Sequence, residues 1–173
     1  NGHDPKILEN IWKDWEKFAS YAFNKSHATC YSWVAYQTAY LKAHYPAEFM
    51  AAVLNSSIRD SKEVVFMIDE CKRMKIDVLG PSVNESEYKF TVNQNGQICF
   101  GMGAVKMVGE VVIQAITEER DTNGKFKEFA DFLIRMSGKG VNRKSIEALA
   151  GAGVFDCFEG MHRAMFYHIE EGD

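Results

Sequence analysis

Apolar residues recur at three- and four-residue spacing near the start of the chain, which is the period of an amphipathic helix. The first repeat is carried by Leu8, Ile11, Trp12, Trp15, Phe18, Ala19 and Ala22. Asp4 and Pro5 precede it as an N-cap and a first helical residue. The pattern therefore predicts a helix from Pro5 onward, with a break near Phe23 and Asn24.

Three more helices are predicted in the first half of the chain. The second runs from about Ser26 to His44, and the third begins at Pro46. Asp60 followed by Glu63 resembles a capping box and marks the start of the fourth helix.

The pattern then changes from helix to strand. A Gly-Pro turn signal at residues 80–81 precedes residues 88–92, where apolar and polar side chains alternate. An Asn-Gly pair at residues 95–96 and an apolar run to residue 100 follow. These features predict a β-hairpin.

Glycine-containing hairpins at residues 103–109 and 138–142 each precede a short helical pattern. A further helix is predicted over residues 129–134, and another begins in the segment from His162 to Ile169. The predicted fold is mainly α. Its parts are a helical portion over 1–79, a β-hairpin connector over 80–101, the paired hairpins over 102–156 and the start of a further helix over 157–173.

Composition says more about the possible functions of the chain than about its fold. The chain has 173 residues, 46% hydrophobic and 25% charged, with a formal net charge of −4. This negative net charge argues against a protein that binds nucleic acid over most of its surface, but it permits local basic faces. Without an apolar leader or span we expect a cytoplasmic protein that does not bind membrane. Because the chain begins at Asn1, we interpret it as a fragment.

No catalytic centre or metal site is predicted. The four cysteines Cys30, Cys71, Cys99 and Cys157 lie far apart, without a CxxC pair or a histidine at zinc spacing, and are expected to be reduced. No Asp-x-Asp pair lies on a predicted strand, although two-metal phosphoryl transfer needs clustered carboxylates. We therefore assign no catalytic residue, metal ligand or cofactor to this segment.

Two cationic regions are candidate binding sites. Residues 17–47 lack acidic side chains and interleave lysines and histidines with aromatic residues, a pattern that suits nucleic acid but that helix packing also explains. Within it, Lys25, Ser26 and His27 lie at a predicted helix start, where an anion such as a triphosphate is favoured, and Tyr31 shares a face with His27. An ordinary N-cap explains the same residues.

The second region surrounds the later hairpin. Residues 135–146 contain Arg135, Lys139, Arg143 and Lys144 and no acidic residue. Glycines allow a hairpin to point its N–H groups at a phosphate, so two hairpins would hold a duplex without reading bases. The alternative is that these glycines are only helix C-caps and turns.

The order and spacing of several motifs resemble the alpha-subunit family of bacterial DNA polymerase III, the C-family replicative polymerases. The resemblance covers nearly the whole chain. It is carried by FASYAFNKSHA at 18–28, YQTAYLKAHYPAEFM at 36–50, DEC at 69–71, LGPSVN at 79–84, FGMGAVK at 100–106, NRKSIEAL at 142–149 and GVFD at 153–156.

The resemblance implies part of the fingers followed by a tandem helix-hairpin-helix region of a template-directed nucleotidyltransferase. The catalytic aspartates and Mg²⁺ of such an enzyme would lie in a palm outside this segment, so the fragment alone is expected to be inactive. Nucleotide binding would fall to Lys25, Ser26, His27 and Tyr31. Duplex binding would fall to Lys106, Gly109, Lys139, Gly140, Asn142, Arg143 and Lys144.

The expected partners are primer-template duplex DNA, a deoxynucleoside triphosphate, the remaining polymerase domains and, beyond this fragment, the sliding clamp. Two departures from the family pattern are Ala22 and Met107, each in place of a common glycine. We expect the first hairpin to hold phosphate less closely than the second. Two other interpretations stay open: a non-enzymatic, sequence-independent helix-hairpin-helix DNA-binding module, and a scaffold for replication proteins.

Overall fold

The computed structural model describes residues 2–21 and 25–166. It separates into two compact units, Asn1–His44 and Tyr45–Asp173. The predicted break at Phe23 and Asn24 lies outside the described residues. Within the described ranges no helix is long and apolar enough to cross a membrane.

The first unit contains two helices, α1 (Pro5–Tyr21) and α2 (Lys25–His44). Asp4 caps α1 as predicted, because its Oδ1 accepts the Lys6 N–H at 2.9 Å. The apolar side chains of α1 are exposed, from 46% at Ile11 to 74% at Phe18. None of the described residues of α2 is buried. Large apolar side chains of the first unit are therefore exposed.

The second unit begins with α3 (Pro46–Ser56) and α4 (Ser61–Arg73). Pro46 begins α3 as predicted, and Asp60 caps α4 by accepting the N–H groups of Lys62 at 3.0 Å and Glu63 at 3.3 Å. The Asp60 N–H donates to the Ser57 carbonyl at 2.8 Å. The N-terminus of α4 is thus capped by the Asp60 side chain, and the turn from Ser57 to Asp60 precedes it.

A three-stranded sheet follows, formed by β1 (Val78–Leu79), β2 (Thr91–Val92) and β3 (Ile98–Cys99) in the order β1-β3-β2. The predicted hairpin is confirmed: β2 and β3 pair antiparallel, and Gly96 adopts a φ of +74° in the turn. β1 adds a parallel strand beside β3, which the pattern did not predict.

The strand predicted over residues 88–92 is shortened to its last two residues. The Phe90 N–H donates to Asn55 Oδ1 and the Phe90 carbonyl accepts from Asn55 Nδ2, both at 2.8 Å. These backbone groups are therefore used by a side chain of α3 and not by a sheet partner. Gly101 lies against the same segment, and a Cβ on it would stand 2.6 Å from the Phe90 nitrogen.

The first core of this unit joins α3 and α4 to the sheet. Its fully buried members include Leu54, Cys71 and Ile98. Residues on both sides of residue 79 share this core, and the domain boundaries drawn from the sequence remain predictions.

The second core supports the paired hairpins. A 3-10 helix (Met102–Ala104) leads to α5 (Glu110–Asn123), and α6 (Phe129–Met136) leads to α7 (Arg143–Ala152). The core side chains are fully or almost fully buried, and among them are Met102, Ile113, Ile116, Phe132, Leu149, Val154 and Phe155. The rings of Phe126, Phe132 and Phe155 pack edge to face. The chain is therefore mainly α, as predicted.

The segment predicted as a final helix is a 3-10 helix over its described part, Arg163–Phe166. Residues 167–169 lie outside the described residues. Arg163 holds this segment in place, because its Nε donates to both carboxylate oxygens of Asp156 at 3.1 Å. This bond attaches the segment to the turn that follows α7.

Candidate nucleic-acid interface

The second hairpin lies between α6 and α7 and contains two glycines in the left-handed region. Gly138 has a φ of +76° and Gly140 a φ of +81°. A Cβ at either position would meet no atom within 4 Å. The backbone conformation, and not crowding, therefore favours glycine at both positions, and both leave open space beside the hairpin.

Asn142 is the N-cap residue of α7. Its Oδ1 accepts the Ser145 N–H at 2.9 Å and the Ser145 hydroxyl at 3.1 Å. Within the described residues, the N–H groups of Arg143 and Lys144 have no hydrogen-bond acceptor. The first N–H groups of a helix carry its positive dipole end, so this exposed terminus suits an anion.

The three predicted cations of this hairpin differ in their surroundings. Lys144 is exposed and makes no ion pair with any residue that the structure describes. Arg143 Nε lies 2.7 Å from Glu147 Oε1, in a pair on the surface of α7. Lys139 forms a salt bridge with Glu119, whose side chain is only 9% exposed.

The first hairpin has a different backbone from the second. Met107 occupies the left-handed region with a φ of +67° and is 77% exposed. Gly109 is the N-cap of α5 with an ordinary φ of −74° and no capping side chain. Lys106 is exposed, and the N–H groups of Glu110 and Val111 have no acceptor within the described residues. A side chain thus stands at the position where left-handed geometry favours glycine.

Glu119 of α5 is the most strongly perturbed acid described in this region. The hydrogen bond from Lys139 is the largest cause that lowers the pKa of Glu119 to about 2, followed by those from Arg135 and Asn123. Arg135 Nε donates to Glu119 Oε1 at 2.9 Å and Asn123 Nδ2 donates to it at 2.8 Å. The carboxylate is therefore charged at any pH near neutrality.

Two arginines of this region, Arg120 and Arg135, direct their side chains inward. Arg120 is 7% exposed and donates to the Ser86 carbonyl at 2.7 Å. Arg135 donates to the Gly124 carbonyl at 2.8 Å and lies 4.3 Å from the centre of the Phe126 ring. No sequence signal marks these roles, because the partners are distant along the chain and follow no local period.

The predicted nucleotide-binding residues lie together in the first two turns of α2. Lys25, Ser26, His27 and Tyr31 are all exposed. The rings of His27 and Tyr31 are 4.3 Å apart at an angle of 60°, which confirms that they share a face. Their role in nucleotide binding remains a prediction.

Binding of Mg²⁺ requires clustered oxygen ligands, usually carboxylates. Among the described residues, no group of three or more His, Cys, Asp or Glu side chains could hold a metal ion. No step through Mg²⁺ is therefore assigned to this chain. All four cysteines are free.

Comparison with known proteins identifies the family of this chain. Residues 75–165 match the helix-hairpin-helix motif family, and the match spans more than half of the chain. The chain belongs to this family. The matched region contains the sheet, both hairpins and the helices α5, α6 and α7.

Three curated relatives of the chain bear the name DNA polymerase III subunit alpha. The chain is 47% identical to that of Pseudomonas aeruginosa over 156 residues, 48% identical to that of Vibrio cholerae over 164, and 46% identical to that of Escherichia coli K12 over 164. The matches cover 90–95% of this chain but only 13–14% of the relatives. The resemblance stated from the sequence is confirmed, and the chain corresponds to a segment of such proteins.

Proposed function

We propose that the two hairpins bind the phosphates of duplex DNA without reading base sequence, as part of a template-directed DNA polymerase. The observation that carries this proposal is the start of α7. There, among the residues that the structure describes, the N–H groups of Arg143 and Lys144 have no acceptor beside the Asn142 cap, and the Lys144 side chain makes no ion pair. A helix terminus of this kind and a lysine together neutralise one or two phosphates.

The first hairpin supplies a second, weaker contact in this proposal. Lys106 and the open N–H groups of Glu110 and Val111 would face the same kind of ligand. The Glu110 carboxylate occupies the first turn of α5 and opposes a phosphate there. Gly109 and Gly140 leave room for a close approach of the DNA backbone.

The polymerase activity is proposed for the whole protein and not for this segment. Its support is the name shared by the relatives, of which this chain covers 13–14%. The catalytic carboxylates and Mg²⁺ would then be supplied by other domains, and bacterial replication would place the protein in the cytoplasm. The sliding clamp would be contacted outside this segment. Primer extension with Mg²⁺ by this chain alone would contradict this division of roles.

Nucleotide binding is proposed for the first turns of α2. Lys25 and His27 would contact the phosphates of an incoming deoxynucleoside triphosphate, the Ser26 hydroxyl would donate to them, and Tyr31 would lie beside them. In the complete polymerase, Lys25→Ala is expected to raise the KM for nucleotide. Lys62→Ala on α4, which removes an equal charge, should leave that KM unchanged.

Duplex binding at several salt concentrations tests the main proposal. The chain should bind duplexes of different sequence alike, and log affinity should fall linearly with log salt. In Arg143/Lys144→Ala the slope should be shallower by about 2, since each lost phosphate contact accounts for about 0.9. Lys72/Arg73→Ala on α4 removes the same charge from exposed positions and should keep the original slope. Equal slopes in both variants would contradict the proposal.

A further inference from the structure

The cluster around Glu119 joins α5, α6 and the second hairpin. One carboxylate oxygen accepts from Arg135 at 2.9 Å and from Asn123 at 2.8 Å, and the other accepts from Lys139. Arg135 also lies 3.3 Å from Asp131. Two cations and two carboxylates therefore balance, and the cluster offers a phosphate no net positive charge.

Lys139 differs in this respect from Arg143, although both are paired. The Arg143–Glu147 pair lies on the surface, with side chains 68% and 32% exposed. Such exposed pairs contribute little and exchange readily with another anion. Glu119 is 9% exposed, so moving Lys139 away would remove one of the bonds that compensate a largely desolvated carboxylate. Lys139 is consequently held in its salt bridge with Glu119, whereas Arg143 can exchange its carboxylate partner for another anion.

Few other contacts hold the hairpin. Ser137, Gly138, Lys139 and Gly140 are exposed, and of these only Lys139 has a side-chain bond to another element within the described residues. Val141 is half-buried against the core beneath α7. Among the described residues, the orientation of residues 137–140 thus depends on the salt bridge of Lys139 and on two backbone bonds, from the Ser137 N–H to the Ile134 carbonyl at 3.3 Å and from the Lys139 N–H to the Met136 carbonyl at 3.1 Å.

We propose that Glu119 is a positioning residue for duplex binding. Its carboxylate holds Lys139 against α5 and thereby fixes the second hairpin, so that phosphate meets the α7 amide groups, Arg143 and Lys144 and not Lys139. This inference rests on the proposed function for the identity of the ligand. It assigns Lys139, which the sequence suggested as a phosphate contact, a structural part in the same site.

Salt-dependent duplex binding separates positioning from direct contact. Lys139→Met should weaken binding with an unchanged slope, whereas a phosphate ligand would lose about 0.9 of slope. Glu119→Gln should weaken binding about fivefold, the factor expected when one helix-terminus interaction is lost. Glu118→Gln is the matched control: it changes the net charge equally at an exposed neighbour and should not weaken binding. Glu119→Asp should restore part of the affinity.

The opposite results would overturn the inference. If Glu119 merely competed with DNA for Lys139, Glu119→Gln would bind more tightly and with a steeper slope. A slope loss of about 0.9 in Lys139→Met would show that Lys139 contacts phosphate directly.

A measurement without DNA distinguishes failure of this inference from failure of the proposed function. Backbone NMR order parameters at residues 138–140 should be near those of rigid backbone, about 0.85, and fall below about 0.6 in Glu119→Gln. They should remain high in Glu118→Gln, and the α3 and α4 values should not change in either variant. Unchanged values in Glu119→Gln would overturn the positioning role even if the chain binds duplex. Failure of the unmodified chain to bind duplex would instead overturn the proposed function.

Discussion

Asn84 pairs with the backbone of Phe126, 42 residues later, as a neighbouring strand would. Its Nδ2 donates to the Phe126 carbonyl at 2.9 Å and its Oδ1 accepts the Phe126 N–H at 2.8 Å. Asn55 makes the same pair of bonds with Phe90. Both phenylalanines are 2% exposed and lie outside the strands of the described residues, so each asparagine satisfies the backbone of a buried core residue.

Replacing either asparagine should therefore destabilise the second unit. Asn84→Ala and Asn55→Ala would each leave a buried N–H and carbonyl unpaired, at a cost of about 2 kcal/mol or more in the free energy of unfolding. Urea unfolding followed by circular dichroism measures this loss. Gln94→Ala in the exposed turn is the control and should change little. Losses no larger than the control's would contradict the pairing.

The cap on α7 links stability to DNA binding. Asn142→Ala removes the acceptor of the Ser145 N–H and should cost about 1 kcal/mol of unfolding free energy. Asn142→Asp keeps an acceptor and should retain stability, but its negative charge should repel phosphate and weaken duplex binding. Thermal unfolding and a binding titration measure the two effects. Equal duplex affinity for the Asp variant and the parent would argue against a phosphate at this helix start.

Glu119 should make the free energy of unfolding depend on pH in the acidic range. Because its pKa is lowered in the folded state, mainly by Lys139, the stabilisation is complete above the unfolded value of 4.5 and is lost as pH falls toward about 2. The stability difference between the parent and Glu119→Gln should therefore shrink across this range. Glu118→Gln serves as the control. Urea midpoints at several pH values give the curves, and a constant difference between pH 5 and about 2 would contradict the assignment.

Met107 should respond to substitution as a left-handed residue. A non-glycine residue there costs about 1 kcal/mol, which Met107→Gly relieves but partly offsets through the entropy of the unfolded chain. We expect the glycine variant to be as stable as the parent or slightly more so, and Met107→Val to lose about 1 kcal/mol because a β-branched residue fits this region poorly. Met165→Val, also exposed, is the control. Equal stability of the Val and Gly variants at position 107 would exclude the left-handed conformation.

Local signals in the sequence predicted most helix starts. Asp4, Pro46 and Asp60 each precede an apolar repeat of helical period, and a helix begins beside each of them. The Asn-Gly pair located the β2–β3 turn for the same reason: its geometry is set by neighbouring residues. The positions of the hairpin residues likewise followed from glycines close to the helices that they connect.

Features that depend on distant partners could not be predicted. β1 has only two residues, and its partner β3 begins twenty residues later, so no alternation marks it as a parallel strand. The shortening of the strand at Phe90 results from Asn55, 35 residues away. The sequence also presented Lys139 and Arg135 as members of a basic run, because the acid that binds both belongs to α5. Charge patterns along the chain do not show which cations are already neutralised in the fold.

Backbone NMR during addition of a short DNA duplex tests the central claim most directly, because it locates the contact on the chain. The account predicts that the amide signals of Arg143 and Lys144 move most, that those of Glu110 and Val111 move less, and that added salt reverses both changes. Signals from α3 and α4 should stay in place. Shifts that avoid both hairpins, or no shift at either hairpin in low salt, would contradict it.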